Sequence, residues 1–199
     1  MSEERPALSI VIINGSVRPG NYTSMASALV ADEFAKDQGV VAEVIDPAGL
    51  DLPLPGAEPD SESAALLRHK VSAAAGIVLA TPEYHGSFSS VTKLVIENLG
   101  FPSTLSGKPV ALLGVAAGAI GAIKSLEQLR GICAHVGAIA LPLPVSVANV
   151  QKVFTPEGQC LDEVVEKRVR GVATNLTNYI RRHVCPAMQL ERILREGAA

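Results

Sequence analysis

The chain has 199 residues, 48% of them hydrophobic and 19% charged, which suits one globular domain with a sizeable core and excludes a disordered chain. A formal net charge of −3, with no basic stripe, argues against a nucleic-acid surface. Cys133, Cys160 and Cys185 are far apart and form no CxxC, so metal and disulfide frameworks both fail and a reducing, cytoplasmic setting fits. The opening MSEERPALS is acidic with no apolar run before Leu8, which does not read as a signal peptide, and no uninterrupted apolar run is long enough to span a membrane.

Read in order, the chain alternates strand and helix. Ile10, Val11, Ile12 and Ile13 are apolar without alternation, the pattern of a strand buried on both faces. A polar loop follows over residues 15–23, then an Ala-, Leu- and Glu-rich helix over 25–36. Residues 40–45 read as a second strand and 46–59 as a loop dense in Pro and Gly. A second helix over 61–75 starts at Ser61 as N-cap. A third strand, 76–80, runs directly into the loop Thr81-Pro82-Glu83-Tyr84-His85-Gly86-Ser87. Helix 91–99, strand 109–115, the small-residue loop 116–121, helix 123–135 and a fifth strand, 137–141, complete the alternation. Residues 142–158 read as irregular. In the last helix Leu161, Val165, Val169, Val172, Leu176, Tyr179 and Ile180 share one face. The division expected is a single domain over 1–184 and a tail over 185–199, with Leu190, Ile193 and Leu194 in a short helix.

Five apolar strands separated by helices imply an α/β, doubly wound parallel sheet between two helical layers, with the flavodoxin-like order 2-1-3-4-5 leading. Ligands of such sheets sit at the carboxyl ends of the strands, beside the switch point between strands one and three. The three unusual loops all fall there. The first has the makings of an anion site, because a strand, a polar loop and a helix start present free N–H groups and the positive end of a helix dipole. Gly15 and Gly20 have the spacing of an NTP-binding loop, but Asn21-Tyr22 replace its Lys and Ser/Thr. The dinucleotide pattern fails at Val17, where a second glycine is required. A terminal phosphate monoester remains: Ser16, Asn21, Tyr22, Thr23 and Ser24 carry donors, and Arg18 can grip two oxygens. An ordinary βα turn with a polar N-cap has a similar composition; the convergence of three loops favours the ligand.

At these residues a resemblance enters. Gly15-Ser16-Val17-Arg18 with Asn21 and Thr23 resembles the GSxRxxSx[NT] phosphate loop of the NADPH-dependent FMN reductase family. Residues 81–87, TPEYHGS, resemble that family's TPEYNGS loop, which cradles the flavin ring, and DPAGLDLP resembles its link after strand two. The likeness runs from about Ser9 to Leu141, together with the last long helix. Asn21 stands for the usual Ser, His85 for the usual Asn, Ser89-Ser90 for Pro-Gly, and Glu97-Asn98 near the usual Asp-Trp.

The resemblance implies a flavodoxin-like fold that binds FMN, takes hydride from NADPH or NADH, and passes it to a flavin, quinone or similar small acceptor. It implies a homodimer or homotetramer. Gly15, Ser16, Arg18, Asn21, Tyr22 and Thr23 would then hold the phosphate. Pro82, Glu83, Tyr84, His85, Gly86 and Ser87 would present backbone groups to the pyrimidine end of the ring, with Gly118 and Gly121 at its edge. No side chain is expected to act as acid or base, because the cofactor carries the chemistry; Glu83 reads as a structural hydrogen bond or subunit contact. The alternative is a flavodoxin-like electron carrier or FMN-binding regulatory module. Against it, a carrier is usually strongly acidic, and −3 is weak.

Overall fold

The computed structural model describes residues 7–57 and 61–196. The acidic start at residues 1–6, the end of the Pro- and Gly-rich loop at 58–60 and the last three residues of the tail lie outside the described residues. In chain order the elements are β1 (Leu8–Asn14), α1 (Tyr22–Ala35), β2 (Val40–Ile45), α2 (Glu62–Ala73), β3 (Gly76–Tyr84), β4 (Ser87–Phe88), α3 (Ser90–Glu97), β5 (Pro109–Val115), α4 (Ile123–His135), β6 (Ile139–Ala140), β7 (Val145–Val147), α5 (Val150–Val153), α6 (Glu163–Tyr179) and α7 (Cys185–Glu196). A π-helical turn, Ile180–Val184, joins the last two.

The apolar runs form one parallel sheet in the order β2-β1-β3-β5-β6, which is the expected 2-1-3-4-5. Alternation along each strand divides the core into two layers. Ile10, Ile12, Val78, Ala80, Ala111 and Leu113 face α1 and α6, where Val30, Phe34, Val169, Val172 and Leu176 are buried. Val11, Ile13, Ile77, Leu79, Val110 and Leu112 face the other way, onto Leu67 and Val71 of α2, Val95 and Ile96 of α3, and Leu126 and Leu129 of α4. Cys133 is sealed in this second layer, where burial pushes its thiol up to about 11, so it is unreactive at neutral pH.

Local chemistry fixes the helix ends. Asn21, Ser61, Ser89 and Asp162 each accept hydrogen bonds from the first turn of α1, α2, α3 and α6. At the far end of α2, Lys108 Nζ donates to the carbonyls of Ser72 and Ala74, which would otherwise be unpaired. With Asp162 as the cap, α6 starts after Leu161, which is left 62% exposed rather than on the apolar face read from the sequence. Met188, Leu190 and Leu194 lie exposed on α7. Among the described residues no helix is long and apolar enough to cross a membrane.

Two stretches differ from the sequence reading. The third strand does not stop at Ala80. It continues through Thr81-Pro82-Glu83-Tyr84 and folds back as β4, with Glu83 opposite Phe88 and Tyr84 opposite Ser87. Pro82 is tolerated because it lies near the end of the parallel ladder, opposite Val115. The fifth strand, expected over 137–141, is only Ile139–Ala140; pairing with β5 resumes as β7, opposite Leu113, Gly114 and Val115. Pro142 and Pro144 interrupt it, since neither has an N–H for the ladder, and Leu143 between them sits at φ 63°.

Gly114 decides how closely α4 approaches the sheet. A Cβ there would stand 2.6 Å from Ala122 Cβ and 3.1 Å from Leu126 Cγ, nearer than packed atoms come. Gly114→Ala is therefore expected to push α4 outward and cost about 1–3 kcal/mol, the usual range for overpacking. Chemical denaturation measures this; an unchanged midpoint would show that α4 does not rest on this position.

Candidate active site

Three loops meet at the carboxyl ends of the central strands: residues 15–21 after β1, the turn between β3 and β4, and residues 116–122 after β5. The first is shaped from inside. Asn14, 1% exposed, donates from Nδ2 to the Ser16 carbonyl at 3.0 Å and to Ser24 Oγ at 2.8 Å. Asn21 accepts from the Ser24 amide at 2.8 Å and donates to the Arg18 carbonyl at 2.7 Å, so its carboxamide is spent closing the loop. Tyr22 packs its ring beside Phe154, with centroids 6.5 Å apart, and Thr23 is buried in the first turn of α1.

Gly15 is required by packing. Its amide donates to the Ala80 carbonyl at 2.7 Å, and a Cβ would stand 2.2 Å from Thr92 Oγ1 and 2.6 Å from that carbonyl. Beneath it lies a group of buried hydroxyls. Ser89 Oγ donates to the Gly15 carbonyl at 2.5 Å and lies 2.9 Å from Thr92 Oγ1; Thr92 Oγ1 lies 3.1 Å from Thr81 Oγ1, which donates to the Pro82 carbonyl at 3.0 Å.

The turn at His85-Gly86 has both residues at positive φ, 51° and 76°, the type I′ geometry that joins two antiparallel strands. Asn-Gly is the favoured pair for that turn, and His is among the side chains that tolerate the first position. The replacement of Asn by His85 therefore has a backbone explanation. The hairpin is fastened to α4. Glu83 Oε2 accepts from the amide and hydroxyl of Ser125 at 3.1 and 3.2 Å, capping a helix whose own N-cap, Ala122, makes no side-chain bond. Gln128 donates to the Gly86 carbonyl at 3.1 Å and accepts from Ser87 Oγ at 2.6 Å. Tyr84 reaches back toward the first loop: the Arg18 guanidinium carbon lies 4.5 Å from its ring centroid, and its hydroxyl is 3.5 Å from Ser16 Oγ.

In the third loop the Gly118 carbonyl accepts from the Gly121 and Asn149 amides, both at 3.2 Å. Gly121 has φ 77°, and a Cβ there would stand 2.3 Å from Ser146 Oγ, which accepts from the Ala122 amide. No atom lies within 4 Å of where a Cβ on Gly118 would be, so this loop leaves room at its exposed tip.

The arrangement leaves a set of donors unspent. Among the described residues no acceptor meets the amides of Ser16, Val17, Arg18 and Gly20, nor those of Tyr22 and Thr23 at the start of α1. The same holds for His85 and Gly86 in the turn and for Ala117, Gly118, Ala119 and Ile120 in the third loop. Lys124 adds charge beside the turn, its Cδ 3.6 Å from where a Gly86 Cβ would be, while the Glu83 carboxylate is committed to α4. A run of free amides at a helix start, with an arginine in the same loop, suits an oxyanion, and free amides from the other loops suit carbonyl oxygens. This donor set fits a flavin mononucleotide. Sequence reasoning missed Asn14, Thr81, Ser89, Thr92, Ser125 and Gln128, which hold the loops in place; a polar Asn closing a four-residue apolar run was the one available signal.

The family model described as NADPH-dependent FMN reductase matches residues 8–152. The chain is 37% identical over 141 residues to an NADPH azoreductase of Bacillus sp. (strain OY1-2), spanning 69% of this chain and 75% of that one. It is 30% identical over 182 residues to a 2-hydroxy-1,4-benzoquinone reductase of Burkholderia sp., spanning 88% and 97%. Among solved structures, FerB, a flavoenzyme NAD(P)H:(acceptor) oxidoreductase from Paracoccus denitrificans, superposes with a TM-score of 0.74 over 89% of this chain and 99% of that one, at 21% identity. On the family match, the identity to curated relatives and the shared flavodoxin-like topology, the chain belongs to the NADPH-dependent FMN reductase family of oxidoreductases.

Proposed function

We propose that this protein holds FMN at the three loops, takes hydride from NADPH or NADH and reduces a small acceptor of the quinone, azo or flavin type in the cytoplasm. The observation that carries the reading is the converging set of unspent amides. In it, residues 15–23 with Arg18 hold the phosphate, the His85-Gly86 turn meets the pyrimidine end of the ring, and Gly118 gives the ring edge room. FMN, when bound, supplies the hydride chemistry. The protein binds, orients and leaves one face accessible, and no side chain serves as acid or base. The bound domain is residues 1–184, with 185–199 as a tail. Residues 83–87 and residues 91–99, which carry most of α3, face a second copy in a homodimer or homotetramer. Phe101, fully exposed just after α3 in a chain with 4% aromatics, supports that placement.

Arg18→Ala is expected to weaken FMN binding by about 1.5–3 kcal/mol, the range for hydrogen bonds to charged groups, and to leave riboflavin binding unchanged. Titration of both ligands measures this; equal FMN affinity in parent and variant would refute the phosphate assignment.

One position shared by donor and acceptor makes their visits alternate. Reciprocal rate against reciprocal donor concentration should then give parallel lines at several acceptor concentrations. Intersecting lines would mean that both bind together. Because Glu83 accepts hydrogen bonds rather than moving a proton, Glu83→Gln should keep the rate of cofactor reduction within about tenfold, roughly 1.4 kcal/mol in barrier, provided FMN remains bound. A much larger loss with assembly intact would make Glu83 a catalytic residue. Light scattering tests the assembly, and a monomer at micromolar concentration with FMN bound would count against it.

A further inference from the structure

Arg18 lies on an exposed loop, and no carboxylate holds it among the described residues. What holds it is a ring from another element, with the guanidinium carbon 4.5 Å from the Tyr84 centroid. The same ring carries its hydroxyl to 3.5 Å from Ser16 Oγ, so it meets the first loop at two positions, Ser16 and Arg18. Tyr84 is itself fixed. It ends β3 opposite Ser87, follows Glu83, whose carboxylate is bound by Ser125, and precedes a turn bound by Gln128.

We propose that Tyr84 is the positioning residue for phosphate selection, holding Arg18 above the free amides of residues 16–23 so that the β3–β4 hairpin sets the preference for a phosphorylated flavin over an unphosphorylated one. The proposal rests on the reading of that loop as the phosphate site. A carboxylate partner would orient an arginine and also cancel its charge. An aromatic face orients it through the ring quadrupole and leaves the full charge for the ligand. A free arginine would lose rotamer freedom on binding; one already stacked has lost much of it beforehand. The effect belongs to the phosphate alone, so it appears in FMN affinity and in its ratio to riboflavin affinity, and not in riboflavin affinity.

The test is titration of the full chain, stripped of flavin, with FMN and with riboflavin. Tyr84→Leu is expected to lower FMN affinity by about fivefold to tenfold with riboflavin unchanged, and Tyr84→Phe, which keeps the ring, to hold the ratio within about twofold. In an Arg18→Ala background Tyr84→Leu is expected to have no further effect on FMN, because the ring acts through the arginine. Equal weakening of both ligands would overturn the proposal, since the ring would then support the flavin or the fold. Tighter FMN binding in Tyr84→Leu would overturn it too, showing that ring and phosphate compete for the guanidinium. Should Tyr84→Leu not fold, loss of the ratio in Tyr84→Phe refutes the stacking role, and its retention supports it. An Arg18→Ala protein that binds FMN as tightly as the parent refutes instead the phosphate reading beneath.

Discussion

The site depends on three buried hydroxyls. Thr81 lies next to the end of the parallel part of β3, Ser89 caps α3, Thr92 lies in the first turn of that helix, and all are at most 2% exposed. Their protons can be accounted for. Ser89 gives its proton to the Gly15 carbonyl, Thr81 to the Pro82 carbonyl and Thr92 to one of the other two hydroxyls. No hydroxyl in the group is left unsatisfied, which matters because each orphan would cost about 1–3 kcal/mol. The group joins the first loop, the third strand and the third helix at a point directly under Gly15. Ser89 supplies both the helix cap and the bond to Gly15.

Most of the polar side chains in the first loop bind the loop rather than face outward. Asn14 and Asn21 hold its carbonyls, Ser16 is 2% exposed, and Gly15 is small because Thr92 needs the space. Backbone amides are what these side chains leave free. Backbone donors are fixed in direction by the fold and do not change with the side chain. The turn shows this most plainly, since His85 needs only to accept a positive φ.

The strands and the order of the sheet were legible in the sequence because a strand buried on both faces is written as an uninterrupted apolar run, and β2, β5 and α4 begin and end where composition puts them. The hairpin was not, because Thr-Pro-Glu-Tyr reads as a loop by composition and becomes a strand only through partners on β5 and β4. Pro142 and Pro144 split the last strand, although apolar residues continue across it. Glu83 with Ser125, and Arg18 with Tyr84, are pairs distant in the chain, and neither spacing nor periodicity carries such a contact. That three loops meet at one edge of the sheet was legible; what each residue in them does for its neighbours was not.

A chain of contacts follows from this. Gly114 lets α4 close on the sheet. Ser125 and Gln128, on the first turns of that helix, then reach Glu83, Gly86 and Ser87 and fix the hairpin. The hairpin holds Tyr84 against Ser16 and Arg18. On the other side the hydroxyl group fixes the same strand to Gly15. The first loop is thus set from two directions, through α3 and through α4, and both routes pass along β3. Rigid elements place groups more accurately than loops do, and here the loop that bears the free amides borrows its rigidity from a strand. The position of α4 is therefore linked, through Glu83 and Tyr84, to Ser16 and Arg18 in the first loop.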